Sequence, residues 1–185
     1  MKSKLILMIA LVGLMSSAFA QQSFTLMSSD LGGQASKQQE FNGFGCTGDN
    51  KSPQLSWKNA PKGTKSFAIT MYDPDAPTGS GWWHWLAFDI PATTNELVAN
   101  AGDTKLDLMP KGTIQSITDY GAMGYGGPCP PEGHGTHQYI ITVYALKTEK
   151  LGLDKNTKAA VVGYYLWNNT IEKASIVAYY KREKK

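Results

Sequence analysis

Between Asp73 and Phe88 the chain reads "DPDAPTGSGWWHWLAF", which sets two carboxylates, Asp73 and Asp75, and one imidazole, His84, on either side of a short Gly-containing loop, together with Trp82, Trp83 and Trp85. Further along, "GPCPPEGHGTHQY" ends in His137 and Tyr139 and carries Pro131 in its middle. Two histidines, a phenol and Gly-rich backbone amides supply the donors that a phosphate-sized anion needs. The same histidines and aspartates have the donor types to hold a metal or to work as acid and base. Against an enzyme, the chain has no G-x-S-x-G nucleophile motif, and Ser80 is only a Gly-flanked loop residue. Exposed carboxylates would repel an anion, so Asp73 and Asp75 are expected to orient the histidines and to favour their protonated form.

These groups need strands to hold them. "KSFAITMYD" alternates Phe67, Ile69 and Met71 with Ala68, Thr70 and Tyr72, the period of a half-buried strand, and Asp73 continues the apolar row. "HWLAFDIP" repeats the pattern, with His84 ahead of Leu86, Phe88 and Ile90; this parity places Trp85 on the opposite face. "HQYIITVYAL" places His137 and Tyr139 ahead of Ile141 and Val143. Each polar group thus ends a core-facing row, and pairing of the first two strands as a hairpin brings Asp73 and His84 to one end. Without a motif to say more, His84 reads equally as a hydrogen-bonded strand-end histidine, Tyr139 as a core tyrosine and the tryptophans as packing. "NTKAAVVGYYLWNN" predicts a helix capped at Asn156 or Thr157, and "KASIVAYYK" a further strand. From Asp103 to Gly135 the sequence is rich in Gly and Pro and predicts long loops with one short strand near "GTIQSI". The chain is therefore mainly β, without internal repeats.

A length of 185 residues suits one domain with a core of its own. The net charge of +3 partly reflects "KREKK" at the C-terminus and the N-terminal lysines, so no basic surface for nucleic acid is indicated. "MKSK", the apolar run "LILMIALVGLM" and the small-residue pattern Ala18-Phe19-Ala20 predict a signal peptide over residues 1–20 and a mature domain over 21–185. The run is shorter than the roughly 20 residues a membrane span needs. Export to a periplasmic or extracellular compartment makes a disulfide the leading expectation for Cys46 and Cys129, the two cysteines present. Two free thiols are the alternative, and zinc is disfavoured because no His pair stands at metal spacing.

"DPDAP" followed by "HW", and "GPCPPEGHGTHQY" some forty residues later, resemble the two signature segments of the phosphatidylethanolamine-binding protein family, and within it the exported bacterial Raf-kinase-inhibitor-like branch of YbhB/YbcL type. "NKSPQLSW", "GTKSFAI" and "GSGWWHW" extend the likeness over nearly all of 21–185. The resemblance implies a β-sandwich of two antiparallel sheets with a small end pocket for phosphate-like or carboxylate anions and phospholipid headgroups. It implies that Asp73, Asp75, His84, Pro131, His137 and Tyr139 line that pocket, with Trp82 or Trp83 on its wall and Tyr180 reaching its mouth. No cofactor is implied. The chain departs from the pattern at Gln138, where an Arg is usual, and at Thr118, where "TDYG" replaces an Asn-containing motif. Three functions follow: a binding module, which the resemblance favours; a metal-dependent or acid/base hydrolase; and a regulator of a partner protein in the periplasm. Inhibition of cytoplasmic kinases, known among eukaryotic relatives, does not carry over to an exported chain.

Overall fold

The computed structural model describes residues 22–184, so the signal-peptide expectation for residues 1–20 lies outside the described residues. In chain order the elements are β1 (Thr25–Met27), β2 (Asn42–Gly43), β3 (Cys46–Thr47), β4 (Leu55–Lys58), β5 (Ser66–Asp73), β6 (Trp82–Pro91), β7 (Glu96–Leu97), β8 (Ile114–Gln115), β9 (His137–Leu146), α1 (Ala159–Asn169) and β10 (Thr170–Tyr180). A five-stranded antiparallel sheet runs β10-β9-β5-β6-β8, and a three-stranded antiparallel sheet runs β1-β4-β7. The two form a β-sandwich, with β2 and β3 as a separate short ribbon.

The large sheet is buried on both faces. One face packs Phe67, Ile69, Met71, Tyr139, Ile141 and Val143 against Leu26, Leu55, Trp57 and Leu97 of the small sheet. The other packs Ala68, Leu86, Phe88 and Leu146 beneath Ala159, Val162 and Leu166 of α1. This accounts for the near-continuous apolar character of β5 and β6, where a strand with one wet face would alternate.

Strict alternation fails in β6. Met71 pairs with Trp85 and Tyr72 with Trp83, which leaves His84 as an extra residue; Phe67 pairs with Ile90 and Ile69 with Ala87, which leaves another extra residue around Asp89. Asp89 has a φ of 59°, the left-handed region that a bulge can demand. Each bulge reverses the side-chain parity. The expected row His84, Leu86, Phe88, Ile90 is therefore split: Leu86 and Phe88 lie beneath α1, whereas Ile90 joins the inter-sheet core. Trp85 is corrected as well, since it lies in the same core cluster as Tyr139, edge-on to Tyr125 at 5.7 Å.

The helix begins at Ala159 with Lys158 at the cap position and no side-chain cap, so neither Asn156 nor Thr157 caps it. Thr157 is engaged one turn earlier: its Oγ1 accepts from Asp154 N–H and donates to Asp154 Oδ1, closing a tight turn ahead of the helix.

Candidate ligand pocket

The ends of β5, β6 and β9 meet at one edge of the sandwich. There the segments 76–78 and 129–131, with Phe44 and Tyr120, enclose a cavity of about 200 Å³. Asp73, Trp82, His84, Pro131 and His137 all line it.

Asp73 ends β5 opposite Trp82, and its carboxylate is almost fully buried. Oδ1 accepts Asp75 N–H at 2.8 Å, and Oδ2 accepts His137 Nδ1–H at 2.8 Å. The other ring nitrogen of His137 lies 2.8 Å from Nδ1 of His134, an exposed residue of the 131–136 loop. A chain of three groups therefore runs from a buried carboxylate to solvent, and both nitrogens of His137 are committed. His134 belongs to no strand row, and its one signal in the sequence is "HGTH", which sets it three residues before His137 at the start of β9.

His84 is held differently. Its Nδ1 lies 2.7 Å from Gly126 O and 3.1 Å from Gly127 O. Carbonyl oxygens only accept, so Nδ1 carries the hydrogen. Burial lowers the pKa of the imidazole to about 4, against the opposing pull of the Gly126 carbonyl and the Asp73 charge. At neutral pH the ring is therefore uncharged, which corrects the expectation that the aspartates would hold it as an imidazolium. Nε2, without a protein partner among the described residues, is the nitrogen left for the cavity.

Tyr139 lies beneath the cavity, off its wall, with the rings of His84 and His137 packed on it at 5.1 and 6.4 Å. Its hydroxyl is buried without a hydrogen-bond partner, and burial together with the Asp73 charge raises its pKa. Trp82 forms part of the wall, and its Nε1–H is likewise buried and unpartnered. Trp83 faces away, against the cluster beneath α1 and the ring of Tyr72 at 4.6 Å.

Asp75 is off the wall too. Its carboxylate accepts Gln138 N–H at 2.8 Å and ties the start of β9 to the loop after β5. Any residue type at 138 supplies that backbone donor, so the departure at Gln138 leaves this link intact. Tyr180 donates to the buried Glu40 carboxylate and lines a separate cleft with Lys37 and Arg182. Thr118 closes its turn through Oγ1 to Ala122 O at 2.9 Å, and the turn presents Tyr120, whose hydroxyl donates to Gly127 O at 2.9 Å.

The walls that the sequence did not mark, Phe44, Thr78, Tyr120 and Cys129, come from loops whose approach no period foretells. Cys46 and Cys129 are joined in a disulfide across 83 positions of sequence. Arg182 lies over the bridge, donating to Gly45 O at 2.8 Å and Pro130 O at 3.3 Å. Among the described residues no group of three or more His, Cys, Asp or Glu side chains is placed to hold a metal ion, and no helix is long and apolar enough to cross a membrane.

The sequence profile described as phosphatidylethanolamine-binding protein matches residues 32–181. The chain belongs to the phosphatidylethanolamine-binding protein family. Among curated relatives, YbcL of Escherichia coli K12 is 52% identical over 141 residues, covering 76% of this chain and 77% of YbcL. YbhB of the same strain is 47% identical over 155 residues, covering 83% of this chain and 97% of YbhB. The crystal structure of Escherichia coli YbcL superposes with a TM-score of 0.85 at 48% identity, over 86% of this chain and 99% of that one. Both the mainly β fold and its family membership, expected from the two signature segments, are borne out.

Proposed function

We propose that this phosphatidylethanolamine-binding-protein family member is an exported binding protein for small oxyanions, phosphate-like or carboxylate, including those of phospholipid headgroups, and that it is not an enzyme. The observation that carries the reading is the end cavity of about 200 Å³, where the buried Asp73–His137 pair and His84 meet beneath the aromatic wall of Phe44, Trp82 and Tyr120. Its 200 Å³ suits a headgroup-sized molecule more than a drug-sized one.

Against catalysis, the cavity's candidate nucleophiles are engaged: Thr78 Oγ1 donates to Gly81 O, and Cys129 is in the disulfide. The disulfide and the N-terminal pattern of a charged start, an apolar run and Ala18-Phe19-Ala20 support export. Calorimetric titration with inorganic phosphate and phosphoethanolamine tests the proposal. Binding to the wild type, reduced at least tenfold in the His84→Ala, His137→Ala double variant, is expected. Equal binding by a folded double variant would place the oxyanion site elsewhere.

A further inference from the structure

The end cavity holds a carboxylate, and the oxyanion reading brings a second anion to it. Among the described residues that line the cavity none is Lys or Arg, and Asp73 is an acid. Two anions in one buried place repel each other unless a positive charge stands between them. His84 does not supply it, because its Nδ1–H is spent on the Gly126 and Gly127 carbonyls and burial keeps the ring neutral at pH 7. Tyr120 and Tyr139 are phenols whose ionisation burial disfavours. The compensating charge then falls to His137, whose Nδ1–H points at the Asp73 carboxylate.

His134 stands in the way. Its Nδ1 lies 2.8 Å from His137 Nε2, and a contact of that length between two ring nitrogens holds one hydrogen. Asp73 fixes the hydrogen of His137 on Nδ1, so in the uncharged pair the hydrogen between the rings belongs to His134. His137 Nε2 is then a bare acceptor covered by its neighbour. A proton from solvent turns it into a donor, and that donor reaches a ligand once His134 has swung off. The His134 ring is exposed, lies in the loop before β9 between Gly133 and Gly135, and makes no other side-chain hydrogen bond among the described residues.

The charged and titratable groups around the pair place the added proton on His137. On its side are Asp73, Asp75 in the loop after β5, the neutral phenol of Tyr139, and Tyr180, its partner on β10. On the solvent side are the Glu132–Arg182 ion pair and Lys184, which packs against Gly133. Two cations against one acid disfavour a charge on His134, whereas a charge on His137 is paired with Asp73.

Resting on the oxyanion-binding reading, we propose that His134 is a latch on His137: it caps Nε2 until an oxyanion binds, then swings to solvent as the site takes up one proton, leaving His137 an imidazolium between Asp73 and the ligand. His134 is on this view a positioning residue, touching His137 and not the ligand. Phosphates, phosphodiesters and carboxylates are all served, since each needs a donor and a compensating charge.

Dimethyl phosphate and acetate keep one negative charge from pH 6.5 to 8.5, so any proton exchanged when they bind belongs to the protein. Calorimetry in buffers of different ionisation enthalpy counts that proton, and nitrogen NMR of the imidazoles locates it. The expected result at pH 8.5 is uptake of close to one proton per ion, with His137 Nε2 changing from bare to protonated. Affinity should fall about tenfold between pH 7.5 and 8.5, as one linked proton requires. In His134→Ala, which removes an exposed loop side chain, both ions should bind at least threefold more tightly, because the hydrogen bond between the rings no longer has to be broken, and the proton should still be taken up.

Binding by His134→Ala no tighter than by the wild type would overturn the latch, as would binding without proton exchange or a complex in which His137 Nε2 stays bare; each of these leaves oxyanion binding standing. Binding of inorganic phosphate but of neither other ion would overturn it too, because one compensating charge suits all three. Binding of none of the three at pH 6.5 would remove the oxyanion reading and this inference with it.

Discussion

At the scale of single residues, His84 shows how a buried imidazole trades charge for placement. Its burial costs the ionised form more than the nearby Asp73 charge and the Gly126 carbonyl return, so the pKa falls to about 4. In the unfolded chain the same group titrates near its ordinary 6.5. Between those values the unfolded state binds the extra proton, so the stability contributed by a neutral His84 is fully present above about pH 6.5 and is lost as pH falls toward 4. The loss amounts to roughly 3 kcal/mol. Glu40 adds a loss of the same sign below its ordinary 4.5: burial pushes its carboxyl up, but hydrogen bonds from Lys37, Tyr180 and Thr47 N–H outweigh it and hold the pKa low. Asp89, raised by burial, acts with the opposite sign, losing stability as pH rises through its elevated pKa. Urea denaturation at pH 7.5 and 4.5 should show the wild type markedly weaker at the lower pH. His84→Gln, which has nothing to titrate, should show a smaller difference; an unchanged difference would mean that His84 is not the group responsible.

At the scale of elements, the site depends on where strands break their own rules. The end positions of Asp73 on β5 and His137 on β9 were legible, because these two strands pair without a bulge from Ser66↔Leu146 to Tyr72↔Ile140, so alternate residues keep to one face. β6 was not, because a bulge is set by local pairing and leaves no mark in a pattern of apolar residues; there His84 reached the site for a reason other than the row it was expected to end. The Gly126–Gly127 pair was invisible for a different reason. A Cβ on Gly127 would stand 1.8 Å from Gln39 O and 2.8 Å from Phe41 N, so the segment that supplies carbonyls to His84 passes directly against the 39–41 backbone. Gly127→Ala must push the two segments apart, with Gly127 N–H drawn off Asn50 Oδ1 and the carbonyl drawn off His84. A cost of about 2 kcal/mol or more is expected from the backbone clash and the disturbed buried hydrogen bonds. Gly32→Ala, where nothing lies within 4 Å, should stay within about 0.5 kcal/mol. Denaturant midpoints of the two variants check the contrast, and equal midpoints would show that the Gly127 contact is soft.

At the scale of the whole molecule, the sandwich and its end pocket followed from strand periodicity and two long motifs, whereas the pocket's outer walls depended on distant loops meeting. Phe44 and Tyr120 stack around Phe41, with centroids 5.8 and 4.0 Å from its ring, although 79 positions separate Phe41 from Tyr120 and no local pattern links them. The long-range link that composition did expose was the pairing of Cys46 with Cys129, because two cysteines in a chain whose N-terminal pattern predicts export have one bridge to make. That bridge spans 83 positions, and constraint of so long a loop in the unfolded state is worth about 4 kcal/mol. It also does local work, since Cys129 lines the cavity, Phe44 stands two residues before Cys46, and Arg182 bonds the carbonyls beside both cysteines. The Cys46→Ser, Cys129→Ser double variant should therefore lose about 4 kcal/mol in urea denaturation and also bind phosphate more weakly, because Phe44 and the 129–131 wall are no longer joined. A reductant should reproduce both effects in the wild type and neither in the variant. Lower stability with unchanged phosphate affinity would show that β2, β3 and Arg182 hold the pocket wall without the bridge.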